Sequence, residues 1–193
     1  MEHYNVLIYI YNDVEVLDFT GPYEVFNAAN NVLNENVFDI YIIAESTEVV
    51  FARNGLKIVP HSSINSSPQA DILIIPGGDG RRVQMHLPTV TEWIKSQFND
   101  LKYLLSVCTG SFIVGSTGLL KGLKATTHHS RYEEFEKTFP DTELVKDVSY
   151  VDNGKIITSA GVSTGIKASL HLLDIISGIE LGKRVEDYME LNY

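Results

Sequence analysis

The apolar residues of this chain fall into short continuous runs, and between them lie stretches with helical spacing. Asn5 to Tyr11 (NVLIYIY) is an unbroken run, the mark of a strand buried on both faces. Val37 to Ala44, Asp71 to Ile75 and Tyr103 to Val107 repeat it. Thr20 to Val32 has helical spacing, with Thr20 placed as N-cap and Pro22 in the first turn. Helices are also expected over Thr89 to Phe98, Thr109 to Leu120, Arg131 to Thr138, Thr164 to Ser177 and Val185 to Leu191. Asn54-Gly55 and Asp152-Asn153-Gly154 mark two hairpins, the first an excursion at a sheet edge. Strands alternating with helices predict an α/β fold, with five to six parallel strands covered on both faces. No repeat or Pro-rich linker divides residues 1–193, so one domain is expected.

Composition narrows the function. Hydrophobic residues make up 44%, enough for a core and too many for a disordered chain. Asp plus Glu is 25 against 15 for Lys plus Arg, a net charge of -10. Such a chain has no basic footprint for a phosphate backbone, so neither nucleic acid nor an anionic membrane is an expected partner. The single cysteine, Cys108, cannot form an internal disulfide and suits a reducing compartment. The N-terminus lacks a basic signal-peptide start, and no apolar run reaches membrane-spanning length. A cytoplasmic location is the expectation.

In sheets of this type ligands sit beyond the carboxyl ends of the strands. Three segments fall there. Ser106-Val107-Cys108-Thr109-Gly110-Ser111 places a thiol between a buried strand and a helix, as in a nucleophile elbow. The helix N-terminus would favour the thiolate. A small buried apolar cysteine is the competing reading. Pro76-Gly77-Gly78-Asp79-Gly80 lets the backbone approach a ligand, and the amides of Gly78 and Thr109 could form an oxyanion-type hole. A tight turn explains the same glycines. Asp18, between apolar residues before the predicted helix, is either a cap or a desolvated acid able to exchange a proton with the thiol. His128 and His129 on an extended segment would point to opposite faces, one lining the site, and cannot easily share a metal. No metal-ligand motif is present, and no metal is expected.

These segments together resemble the ThiJ/PfpI superfamily of class I glutamine amidotransferase-like proteins. The resemblance rests on LDFTGPYEVF (Leu17 to Phe26), IIPGGDG (Ile74 to Gly80), SVCTGSFIVGSTGLLKGLKATTHH (Ser106 to His129) and TSAGVSTGI (Thr158 to Ile166). Within it the chain is most similar to isonitrile hydratases and to the ligand-binding half of AraC-type regulators. The resemblance implies a flavodoxin-like three-layer sandwich, a Cys108 nucleophile, an acidic partner at Asp18, and Thr109 beside the nucleophile. It also implies Gly77, Gly78, Gly21 and His128 as substrate- or oxyanion-facing groups, a homodimer, and no cofactor. Four departures qualify it. Thr109 follows the cysteine where the protease-like branch has His, which counts against peptidase activity. Thr127-His128-His129 stands where hydratases read Thr-His-Trp. Lys167 stands where the late motif has Asp. The chain stops where hydratases and regulators continue, so no DNA-binding module is expected.

The activity expected first is hydration of an isonitrile to an N-substituted formamide through a thioimidate on Cys108. Hydrolase, deglycase or amidase chemistry on another small electrophile is the second reading. A non-catalytic small-molecule or redox sensor is the third.

Overall fold

The apolar runs lie side by side in one sheet. The computed structural model describes residues 2–178 and 180–191. The strands of the main sheet are β1 (Tyr4–Tyr9), β2 (Phe38–Ala44), β3 (Ser62–Ser63), β4 (Ile72–Ile75), β5 (Tyr103–Val107), β6 (Tyr150–Asp152) and β7 (Ile156–Ser159). Their spatial order is β6-β7-β5-β4-β1-β2-β3. Every neighbouring pair is parallel except β6 with β7. The chain runs outward from β1 to β2 and β3, then returns to β4 on the other side of β1. The exits of β1 and β4 meet at this switch point at the sheet's centre, where the Glu15 N–H donates to the Gly77 carbonyl at 2.9 Å.

Seven helices complete the layers: α1 (Val16–Leu33), α2 (Arg81–Gln84), α3 (Pro88–Phe98), α4 (Gly110–Ser116), α5 (Tyr132–Thr138), α6 (Thr164–Ser177) and α7 (Leu181–Tyr188). α1, α6 and α7 pack together over one face, and α2, α3 and α4 over the other. The central strands are apolar on both sides because both sides are covered. Ile72, Leu73, Ile74 and Ile75 are all fully buried. Among the described residues no helix is long and apolar enough to cross a membrane.

Several boundaries differ from the sequence reading. α1 begins at Val16, with Glu15 before it, and Thr20 does not cap it. The Thr20 hydroxyl donates to the Val16 carbonyl at 2.8 Å inside the helix. Asp18 consequently occupies the first helical turn instead of preceding the helix. α4 stops at Ser116, where the chain turns toward Gly118 at φ 83°. The Asn54-Gly55 segment joins Val50–Phe51 to Lys57–Ile58, but through the loop 52–56 and a 3₁₀ turn. That ribbon stays separate from the main sheet. It clasps the β1 exit loop instead: Asp13 N–H donates to the Phe51 carbonyl at 2.8 Å and Arg53 N–H to the Val14 carbonyl at 2.9 Å. The last helix begins at Leu181, ahead of the expected Val185. β3, made of two serines, and α2 carry no periodic apolar signal and are absent from the sequence reading.

Candidate active site

β5 delivers Cys108 to the carboxyl end of the sheet, and the chain turns sharply there into α4. Cys108 has φ 56°, the left-handed region that an L side chain occupies at a cost of about 1–2 kcal/mol. Four hydrogen bonds hold it there. Its N–H donates to the carbonyls of Ser159 and Ala160, at 3.1 and 2.8 Å. Its carbonyl accepts from the hydroxyls of Thr127 and Ser111, at 3.1 and 3.2 Å. Gly110 permits the turn, since a Cβ there would lie 2.0 Å from the Ile75 carbonyl oxygen. This is the strand-to-helix elbow geometry.

Asp18 reaches the thiol from α1. It is fully buried, and its carboxyl lies close enough to the sulfur for each group to shift the other's pKa. Gly77 N–H donates to its Oδ2 at 3.0 Å, whereas Oδ1 has no partner. Burial pushes the Asp18 carboxyl up to about 7, against the lowering pull of the Gly77 N–H. Burial also pushes the Cys108 thiol far up, and the Asp18 charge adds to this. The Thr109 N–H and hydroxyl pull the other way and do not win. Burial thus works against the thiolate that a helix end would favour. Cys108 is only 6% exposed and α4 has two turns, so desolvation exceeds the dipole.

The elbow lines a cavity of about 130 Å³ that also touches Gly78, Thr109, His128 and Val162. Its rim is charged. Glu15 pairs with Arg53 at 3.0 Å, and buried Arg81 pairs with Glu134 at 2.7 Å while lying 3.7 Å above the Phe112 ring. His128 sits in the wall, and burial first, then His129 and Arg131, lower its pKa, which favours the neutral ring. The two histidines do not point to opposite faces. His128 caps the 3₁₀ turn His129–Arg131, and the two rings lie 4.4 Å apart.

The structure brings Cys108, Asp18, Thr109, Gly77, Gly78 and His128 together, and leaves Gly21 elsewhere. Gly21 faces Ile166 across the α1–α6 contact, where a Cβ would come within 3.0 Å of Ile166 Cγ1. The proposed pair of oxyanion amides also changes. The Gly78 N–H already donates to the Thr109 hydroxyl at 3.0 Å, so it is not free for substrate. Gly161 was missed as a site residue. A Cβ there would lie 2.6 Å from His128 Cδ2 and 2.7 Å from Cys108 Sγ. Its only signal was a glycine just beyond a strand, in the TSAGVSTGI block. Lys167 is exposed on α6 and does not line the cavity. Among the described residues no group of three or more His, Cys, Asp or Glu could hold a metal ion.

Residues 4–175 match the model of the DJ-1/PfpI family. The chain belongs to that family. Isonitrile hydratase of Pseudomonas putida is 30% identical over 181 residues, 94% of this chain and 75% of the hydratase. The HTH-type transcriptional regulator CdhR of Pseudomonas aeruginosa is 23% identical over 176 residues, 91% of this chain but only 52% of the regulator. Among solved structures, a ThiJ/PfpI family protein from Pseudomonas syringae superposes with a TM-score of 0.87 at 27% identity, covering all of this chain and 77% of that one. DJ-1beta of Drosophila melanogaster superposes with a TM-score of 0.85 at 20% identity, each chain covered in full, which speaks for the shared fold alone. A DJ-1/PfpI α/β sandwich is thus the architecture that carries the cysteine elbow.

Proposed function

We propose that this DJ-1/PfpI protein is a cysteine-dependent enzyme that hydrates an isonitrile to an N-substituted formamide. The observation that carries the reading is the pairing of an elbow thiol with a buried carboxyl whose Oδ1 is unpartnered. Its similarity to the Pseudomonas putida isonitrile hydratase supports the substrate class.

The chemistry follows from the two groups. With Asp18 ionised, its carboxylate takes the Cys108 proton as the sulfur attacks the terminal isonitrile carbon. The sulfur lone pair forms the C–S bond, and the carbon lone pair takes the proton from Asp18. The product is a thioimidate, Cys–S–CH=N–R. Water then adds to that carbon, and the proton it gives up passes through Asp18 to the nitrogen; on collapse the hydroxyl proton passes by the same carboxylate to the sulfur. Collapse of the adduct breaks the C–S bond, releases R–NH–CHO and restores the thiol. Thr109, whose N–H and hydroxyl both favour the charged sulfur, stabilises it as charge develops.

A second reading, a small-molecule sensor, is favoured by one observation: the thiol is almost enclosed. The two separate on a panel of isonitriles, amides and glyoxals, with products followed by NMR. Formamide production by wild type, abolished in Cys108→Ala, supports the hydratase. Saturable binding without turnover, retained in Cys108→Ala, supports the sensor. Turnover retained in Cys108→Ala removes the thiol from the mechanism.

A further inference from the structure

Two consecutive peptide planes join the β1 exit to the reacting groups. The Pro76–Gly77 peptide accepts at its carbonyl from the Tyr11 hydroxyl, at 2.7 Å, and donates from its N–H to Asp18 Oδ2, at 3.0 Å. A trans peptide keeps its C=O and N–H in one plane, pointing opposite ways, so whatever fixes one end aims the other. The next peptide repeats the arrangement. The Gly77 carbonyl accepts from the Glu15 N–H at 2.9 Å, and the Gly78 N–H donates to the Thr109 hydroxyl at 3.0 Å. Backbone holds the second plane, whereas a side chain, Tyr11, holds the first.

Tyr11 is itself held in place. It is buried, its ring lies 5.8 Å from that of Tyr9, and a Cβ on Gly80 would fall 2.9 Å from its Cδ2. A phenol has one proton to donate, and this one goes to Pro76. Burial, with the Asp18 charge behind it, holds the phenol well above its ordinary pKa, so it stays a donor. Donation into the carbonyl draws electron density from the amide and strengthens its N–H as a donor. At the far end that N–H meets a carboxyl whose other oxygen, Oδ1, has no partner. The approach is close: a Cβ on Gly77 would fall 2.9 Å from Asp18 Oδ2 and 2.6 Å from the Thr109 nitrogen. Tyr11 does not line the thiol cavity.

We propose that Tyr11 is a positioning residue for Asp18, acting through the Pro76–Gly77 peptide: its hydroxyl sets the plane, and the plane aims the amide that holds the carboxyl beside the thiol. This rests on the reading of Asp18 as the proton carrier of the reaction. The groups that face Asp18 are Glu15, near the start of its own helix, Cys108 at the β5 exit and Tyr11 at the β1 exit; Tyr11 also faces Tyr9 and Arg81. Removing the Tyr11 hydroxyl changes none of the other groups and weakens only the donor at Gly77.

The test follows the Asp18 carboxyl carbon by NMR against pH in the intact chain, its signal assigned by its loss in Asp18→Asn. In Tyr11→Phe the Asp18 midpoint should rise above its starting value of about 7, by about 0.5–1 unit, and the pH profile of kcat/KM for isonitrile hydration should move by the same amount. Tyr9→Phe removes another buried hydroxyl, one that donates to Gln84 at 2.6 Å, and should leave the Asp18 midpoint in place. Should Tyr11→Phe fail to fold, a ring-fluorinated tyrosine placed at residue 11 is a stronger donor and should lower the midpoint. An Asp18 midpoint unmoved by either change at residue 11, or moved equally by Tyr9→Phe, overturns the proposal. Absence of isonitrile turnover in wild type would instead sink the hydratase reading, and the carboxyl titration would still decide the role of Tyr11.

Discussion

The backbone N–H of Gly77 donates to Oδ2 of Asp18 across 3.0 Å, tying the loop after β4 to the first turn of α1. This single amide is the main group opposing the desolvation of the carboxyl, and it does not suffice: the Asp18 pKa still rises to about 7. The folded protein therefore keeps a proton that the unfolded chain has released by about pH 4.

The consequence for stability has a definite sign. Between about pH 4 and pH 7 the native state binds more protons than the unfolded state, so stability falls as pH rises and levels off above 7. Asp18→Asn keeps an acceptor for Gly77 and removes the titration. Denaturant unfolding at pH 5 and pH 8 should show the slope flattened and the variant more stable at pH 8, by up to about 4 kcal/mol. Identical slopes in the two proteins would exclude a raised Asp18.

Activity should run the opposite way. The thiol proton needs an ionised Asp18 to accept it, so kcat/KM for isonitrile hydration should rise with pH through about 7. Asp18→Asn should lose turnover across the range. A profile flat from pH 5 to 8 would place the proton transfer elsewhere.

Thiol reactivity separates charge from burial. The Asp18 charge contributes to the high Cys108 pKa, so its removal should speed iodoacetamide labelling at pH 8, by about tenfold. Wild type should label more slowly than a free thiol at every pH up to 9. Equal rates in wild type and Asp18→Asn would mean that burial alone governs the sulfur.

Gly161→Ala tests the far wall. The new methyl would fall 2.7 Å from Cys108 Sγ and 2.6 Å from His128 Cδ2, and both must move. Turnover should drop about a hundredfold, the usual scale for ångström misplacement, with most of the thermal stability kept. Full activity in Gly161→Ala would show that the sulfur's position is not critical.

The Arg81–Glu134 pair should respond asymmetrically. Arg81 has 3% of its side chain exposed, whereas Glu134 has 41%. Glu134→Ala leaves a buried guanidinium without its anion and should cost roughly 2–3 kcal/mol. Arg81→Met frees a carboxylate that returns to water and preserves packing on Phe112, so it should cost less. Thermal melts of the two variants give the order, and the reverse order would refute the argument.

Much of this was legible in the sequence. Buried parallel strands are continuous apolar runs, so β1, β2, β4 and β5 stood out, and with them the strand-end positions of Cys108 and the Gly77-Gly78 pair. Helix starts were harder. Thr20 looked like a cap, yet its hydroxyl bonds within α1, which begins earlier, at Val16. Pairwise contacts were least visible. Nothing in the spacing of Gly78 and Thr109 discloses that the hydroxyl of one occupies the amide of the other. Gly161 approaches the sulfur only because β7 lies beside β5, a neighbourhood that chain order does not reveal. The raised Cys108 pKa belongs to the same class, since depth of burial is a property of the assembled sheet.

The sheet's borders have a bearing on how copies of this protein meet. One border is β3, two residues long, and the other is β6, three residues long and ending at Asp152. Neither offers enough unpaired backbone to recruit a strand from another molecule. Association that extends the main sheet edge to edge is therefore disfavoured. Self-assembly would have to use side-chain surfaces, which tend to give closed and finite complexes, whereas open strand edges invite fibrous growth.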